Sequence, residues 1–171
     1  VEVQKLAQKD VWQSIAISGS KTDTVNAGII TINGTNIDTS TMSYTKLTEE
    51  INKIGGVQAS LVDSSDGKNF KLSIQSTETG ADKKIDFKVS GGSISAGALA
   101  LFGNKLALDK SLNVVEAKDN TIYSSNNVLT AQDMQLKADG VDYSSSSSTV
   151  TIDGLKITAT KKSGDSTINI E

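Results

Sequence analysis

The chain has 171 residues, with 17 basic and 20 acidic side chains, and contains no cysteine, histidine or proline. This composition excludes a disulfide framework, a Cys-type zinc site and a Ser-His-Asp triad. The formal net charge of −3 provides no basic field for nucleic acid, and no apolar stretch approaches the roughly 20 residues that span a bilayer. We therefore expect no cofactor, no metal, no nucleic-acid partner and no membrane insertion.

The amino-terminal segment predicts two strands, at Val1–Gln4 and Val11–Ile17, because apolar residues alternate in both. Trp12 is the sole tryptophan and is out of phase with the apolar odd positions of its strand. If those positions face the core, Trp12 faces outward. Trp12 is then either an interface anchor or a partly covered contact between domains, and the sequence favours neither.

A tight hairpin is predicted next. Ile30 and Ile32 lead into Asn33–Gly34, the pair best suited to a type I′ turn because both positions must tolerate positive φ. Residues 33–35 also match a glycosylation sequon, but the turn accounts for Asn33 and Gly34 without it.

One helix is predicted from about Thr45 to Ile54. Its apolar residues recur at i, i+4 and i+7, Glu49 and Glu50 stand in its early turns, and a glycine pair ends it before an alternating strand begins. The residues that define this helix and the start of that strand are Leu47, Ile51, Asn52, Gly56 and Val57.

Further strands are predicted on either side of the polar turn 63–67 and at Ile85–Val89, and the apolar run Ala96–Phe102 predicts a helical turn or short helix. Asp63 and Asp66 lack the ligand spacing of a calcium loop, so a solvated turn is the interpretation of this segment. In the last third, Asp139–Gly140 and Asp153–Gly154 separate alternating strands and predict an antiparallel meander.

Four stretches carry a family resemblance in the family's own order. Residues 28–63, with hairpin, Glu-Ile-Asn helix and Gly-Val-Gln-Ala-Ser strand, resemble the flagellin IN motif. Residues 1–8 resemble the strand that leaves the helical stem of the flagellar filament-cap (hook-associated protein 2, FliD) family, and residues 131–141 and 149–158 resemble its Asp-Gly hairpins. Met134 departs from that pattern, which usually has alanine there.

The resemblance implies a mainly β fold with minor α (α+β), built of two antiparallel β-rich domains with one inserted into the other. The expected domains are 1–20 plus 126–171, an outer domain, and 21–125, an inserted domain with the IN motif. The chain would then be a fragment whose missing parts form a coiled-coil stem.

The resemblance also implies a function. Caps of this family are extracellular, homo-oligomeric rings at the filament tip that promote flagellin folding and polymerisation, and some adhere to host mucus. The implied partners are further copies of the chain, flagellin, host mucin, and, through missing regions, hook-associated junction proteins and an export chaperone.

Two alternatives stay open. The first is the variable outer region of a flagellin or of another hook-associated protein, because these share the IN motif. The second is a surface adhesin or carbohydrate-binding module, supported only by the β architecture and the polar faces. An enzyme is not expected, since the sequence shows no nucleophile–base pair or metal cluster.

Overall fold

The computed structural model describes residues 1–89, 95–102, 127–162 and 168–170. Within them it has thirteen strands, two α-helices and one 3-10 helix, and the strand pairs with an assigned register are antiparallel. The predicted mainly β fold with minor α is therefore confirmed. None of the described helices is long and apolar enough to cross a membrane.

The chain divides into two compact units. Unit 1 consists of Val1–Asp10, Ser76–Lys84 and Leu129–Glu171, and unit 2 of Val11–Gln75 and Ile85–Val128. This division differs from the expected boundaries in placing residues 11–20 and 126–128 in unit 2 and residues 76–84 in unit 1. Residues 11–18 belong to unit 2 because they pair with a strand of its sheet. The asparagine-rich residues 124–127, which the sequence suggests as the return crossing between the two domains, lie outside the described residues, apart from Asn127.

Unit 1 is built from two three-stranded sheets. Its core is formed by Val3, Met134 and Leu136 from one sheet and Ile157 and Ala159 from the other. The strands outside unit 2 are β1 (Glu2–Lys5), β9 (Met134–Ala138), β10 (Val141–Ser145), β11 (Thr149–Ile152), β12 (Leu155–Ala159) and β13 (Ile168–Ile170), with the 3-10 helix at Ala81–Lys83.

Unit 2 combines a five-stranded sheet, a separate two-stranded hairpin and both α-helices. Its core contains the apolar faces of the hairpin, the sheet and the helices. Its elements are β2 (Val11–Gln13), β3 (Ile17–Ser18), β4 (Ile29–Ile32), β5 (Thr35–Asp38), α1 (Tyr44–Asn52), β6 (Val57–Asp63), β7 (Asn69–Ser76), α2 (Ala96–Phe102) and β8 (Asn127–Leu129).

A bulge explains why the predicted single strand at residues 11–17 is observed as β2 and β3. Gln13 pairs with Ser73 and Ile17 with Phe70, so this side has one residue more than β7. Ser14 occupies the bulge: its N–H donates to the carbonyl of Leu72 at 2.8 Å, and its Oγ accepts from the Leu72 N–H at 2.8 Å.

The bulge also changes which side of the strand Trp12 faces. Its ring is half-buried against the core of unit 2 and meets Phe87 edge-on, with 5.1 Å between ring centroids and 72° between the planes. Trp12 was expected to face outward only if all the odd positions of its strand faced the core. That condition fails, because the bulge reverses the phase of alternation: Trp12 lies on the core side before it, and Ile17 is buried beyond it.

Helix α2 packs closely against the backbone near β4. A Cβ atom at Gly97 would lie 2.1 Å from the carbonyl oxygen of Ala27 and 2.7 Å from that of Ile29. Only glycine permits this approach, because a strand backbone cannot move aside as a flexible side chain can. The predicted short helix at Ala96–Phe102 is confirmed.

Asp10 ties together the three segments of unit 1. The carboxylate is buried, with 2% of the residue exposed, and its Oδ1 accepts from the N–H of Ala131 at 3.1 Å. The Asp10 N–H donates to Oγ of Ser76 at 2.9 Å, and the Ser76 N–H donates to the Asp10 carbonyl at 2.8 Å.

We expect Gly97→Ala to lower the free energy of unfolding by about 1–3 kcal/mol, because the added methyl group overlaps two backbone carbonyls. Urea unfolding of the chain measures this. Gly55→Ala is the control, since a Cβ there meets nothing within 4 Å. Equal stability of the two variants would contradict the described packing of α2.

We expect Asp10→Ala to cost about 1–3 kcal/mol of unfolding free energy, because the buried N–H of Ala131 loses its acceptor. Asp10→Asn keeps an acceptor oxygen and should lose less. Denaturant unfolding of both variants tests the assignment. An alanine variant that is as stable as the asparagine variant would show that the carboxyl oxygen does not hold Ala131.

Candidate interaction surfaces in unit 2

Three hairpins turn on the residue pairs that the sequence identified. Asn33 and Gly34 have φ values of 48° and 81°, as a type I′ turn requires, and Ile32 pairs with Thr35 across the turn. The other two pairs lie in unit 1. They are Asp139 and Gly140, with φ of 51° and 78°, and Asp153 and Gly154, with φ of 49° and 79°.

Asn33 also anchors its hairpin to a neighbouring segment. Its N–H donates to the carbonyl of Asp86 at 2.7 Å, and its Oδ1 accepts from the Asp86 N–H at 2.9 Å. Of the strand expected at Ile85–Val89, the described residues show only a single bridge position, at Lys88, although Ile85 and Phe87 are buried. Asp86 bonds to the turn of a hairpin at this point instead of to a strand.

Helix α1 begins at a side-chain cap. The Oγ of Ser43 accepts from the N–H of Lys46 at 3.1 Å. Leu47 and Ile51, one turn apart, are completely buried in the core of unit 2. The helix thus presents one apolar stripe to the sheet, and its other side faces solvent.

The solvent side of α1 carries a row of ion pairs. Lys46 Nζ lies 3.2 Å from a carboxylate oxygen of Glu49 and 3.2 Å from one of Glu50, and Lys53 Nζ lies 2.7 Å from Glu50. The hydrogen bond from Lys53, followed by that from Lys46, lowers the pKa of Glu50. The expectation that Glu49 and Glu50 stand in the early turns is wrong, because the helix spans Tyr44–Asn52, has no acidic residue in its first turn and carries both glutamates in its second half.

Asn52, the last residue of α1, joins the helix to the edge of the sheet. Its Nδ2 donates to the carbonyl of Ala59 at 3.1 Å, and its Oδ1 accepts from the Ala59 N–H at 2.7 Å. The side-chain amide therefore makes the two bonds that a neighbouring strand would make with Ala59. Gly56, with φ of 85°, turns the chain after the helix, and Val57 is the buried first residue of β6.

A groove of about 530 Å³ opens between β5 and the end of α1. Its hairpin side is formed by β5 and the preceding turn, and its helix side includes Glu50, Lys53 and Ile54. In the described part of the chain, no cluster of three or more acidic side chains is arranged to hold a metal ion. The arrangement supplies backbone hydrogen-bonding groups, charges and apolar walls, which suit binding of a peptide chain.

Comparisons with known proteins agree with this architecture. A curated hook-associated protein 2 of Campylobacter jejuni is 30% identical to this chain over an alignment 200 residues long. The alignment covers the whole of this chain and 30% of the relative. The chain thus spans less than a third of the length of that relative. No family model matches the sequence.

Solved structures show the fold. The D2-D3 domains of the flagellar cap protein FliD from Serratia marcescens match with a TM-score of 0.67 and 20% identity, covering 99% of this chain and 89% of that one. Those from Escherichia coli match with a TM-score of 0.60 and 23% identity, covering 88% and 73%. The fold is that of the D2-D3 domains of flagellar cap proteins. The sequence match and the shared fold support a fragment of the FliD, or hook-associated protein 2, family.

We expect Asn52→Ala to lower the free energy of unfolding by about 1–3 kcal/mol, because the N–H and carbonyl of Ala59 both lose their partner. Ser60→Ala is the matched control, an exposed residue next to Ala59 on β6. Thermal unfolding of the two variants measures the difference. If Asn52→Ala is no less stable than Ser60→Ala, the amide does not hold the helix to the sheet.

Proposed function

We propose that this chain forms outer domains of a flagellar filament cap, with a structural rather than a catalytic role. The observation that carries the proposal is the match of the whole chain to a hook-associated protein 2. The D2-D3 fold supports it. The protein that contains the chain assembles with further copies of itself at the filament tip, outside the cell, and promotes the folding and polymerisation of flagellin.

The described surface is consistent with such a role. The solvent side of α1 carries charges that are already paired with each other, and exposed pairs of this kind add little stability. They keep the helix face hydrated, whereas the groove beside it offers hydrogen-bonding groups and apolar walls. Assembly contacts therefore form beside the helix rather than on its charged face.

Complementation of a cap-gene deletion tests the proposal. The strain receives the parent protein either intact or without Val1–Glu171, and filament length is measured by electron microscopy. Only the intact protein should restore filaments, and flagellin should appear in the medium as unpolymerised protein in the strain with the deleted form. Immunoblots of the medium establish that both forms are exported and stable.

A third form, the parent protein with Ser60→Ala, controls for expression. Full-length filaments with the deleted form would contradict a capping role for these domains. Failure of the intact protein to restore filaments would also contradict it, and would favour the outer region of a flagellin.

A further inference from the structure

Unit 2 covers two of its strand edges by specific devices. Asn52 bonds to Ala59 with its side-chain amide and so fills part of the free edge of β6. The carbonyls of Ala27 and Ile29, in and next to β4, lie against Gly97 of α2, too close for any Cβ. Proteins cover edges in this way because unpaired backbone groups recruit other strands.

Among the described residues, no side chain or helix covers the edge of β5 in this way. In an antiparallel hairpin, residue pairs that exchange backbone hydrogen bonds, called narrow pairs, alternate with pairs that do not. Ile32 and Thr35, which flank the two-residue turn, form one narrow pair. Gly28 and Thr39 lie in the same phase, since the N–H of Thr39 donates to the carbonyl of Gly28 at 3.0 Å. Narrow pairs alternate along an antiparallel ladder, so the backbone N–H and carbonyl groups of Asn36 and Asp38 point away from β4.

β5 lacks several of the features by which natural edge strands discourage pairing, and its one charged residue is acidic, so it repels acidic strands but not basic ones. Its sequence is Thr-Asn-Ile-Asp, and the register with β4 is continuous. It has neither the lysine, the proline nor the bulge by which natural edge strands discourage pairing. β5 also borders the groove of about 530 Å³, whose opposite wall includes Lys53 and Ile54 at the end of α1.

The negative charge of Asp38 at this edge favours a bound strand that carries a basic side chain. The Ser40 N–H donates to Oδ1 of Asp38 at 3.0 Å and lowers the pKa of that carboxyl, so the group is ionised at neutral pH. Within the described residues Asp38 lies in ion-pair distance of no lysine, whereas Lys53 is engaged by Glu50. An incoming strand with a basic side chain opposite Asp38 complements this carboxylate.

We propose that the edge of β5 binds an extended segment of the flagellin chain as an added strand, with a lysine or arginine facing Asp38. The inference rests on the proposed function and identifies the surface through which the chain contacts flagellin. Backbone bonds to Asn36 and Asp38 provide the affinity, and the groove beside them receives alternate side chains.

Amide hydrogen exchange tests the proposal directly. The probe is purified monomeric flagellin of the same bacterium, added to the isotope-labelled 171-residue chain. Exchange at Asn36 and Asp38 should slow by about tenfold or more, whereas exchange at Thr35 and Ile37, already bonded within the hairpin, should change little. Binding of flagellin without protection at Asn36 and Asp38 would overturn the inference and leave the proposed function standing.

A pair of variants isolates the backbone donor. Asn36→Pro removes the outward N–H, whereas Asn36→Ala keeps it, and both lose the hydrogen bond from Thr31 Oγ1 to Asn36 Oδ1. Flagellin binding should weaken about tenfold in the proline variant relative to the alanine variant, as expected for one lost hydrogen bond. Unfolding curves of both variants establish that the hairpin is retained.

One outcome would identify a different occupant, and two others would contradict the inference. Protection at Asn36 and Asp38 that rises with the concentration of the chain alone would assign the edge to a second copy and overturn the inference. Equal flagellin affinity of folded Asn36→Pro and Asn36→Ala would also overturn it. Reversal of charge in Asp38→Lys should weaken flagellin binding, and an unchanged affinity would contradict the basic residue in the occupant.

Discussion

The pair of hydrogen bonds between the Asn52 amide and the backbone of Ala59 is the constraint on which unit 2 depends. One side chain, on the last residue of the helix, fixes the distance of the helix from β6 and satisfies an edge that would otherwise be open. Leu47 and Ile51 can then pack into the core from a fixed direction. Asparagine suits the position because its amide carries a donor and an acceptor with the spacing of a peptide group.

Features set by local sequence could be predicted. The three Asn-Gly and Asp-Gly turns and α1 were identified because their signals lie within a few residues of the elements that they form. The phase of Trp12 and the loss of most of the strand expected at Ile85–Val89 could not, since they depend on Ser14 meeting Leu72 and Asp86 meeting Asn33. These partners are distant in sequence. The sequence does not predict the bonds from the Asn52 amide to Ala59 either, although the Glu-Ile-Asn motif includes Asn52.

The difference between covered and open strand edges in unit 2 relates this fold to assembly. A helix side chain covers one edge, a glycine-mediated helix contact covers another, and β5 stays open beside a groove with an ionised aspartate. The chain has no cysteine and therefore no disulfide, so such packing and hydrogen bonds contribute to the stability of unit 2. A cap built from such units would act through shaped surfaces, which agrees with a structural role.

The location of the chain on the flagellum tests the central claim most directly. Filaments are labelled with gold-conjugated antibodies raised against this 171-residue chain and imaged by electron microscopy. A cap predicts gold at one end of each filament and bare filament walls. Gold distributed along the whole filament would contradict the account and would show that the chain is an outer region of the filament subunit itself.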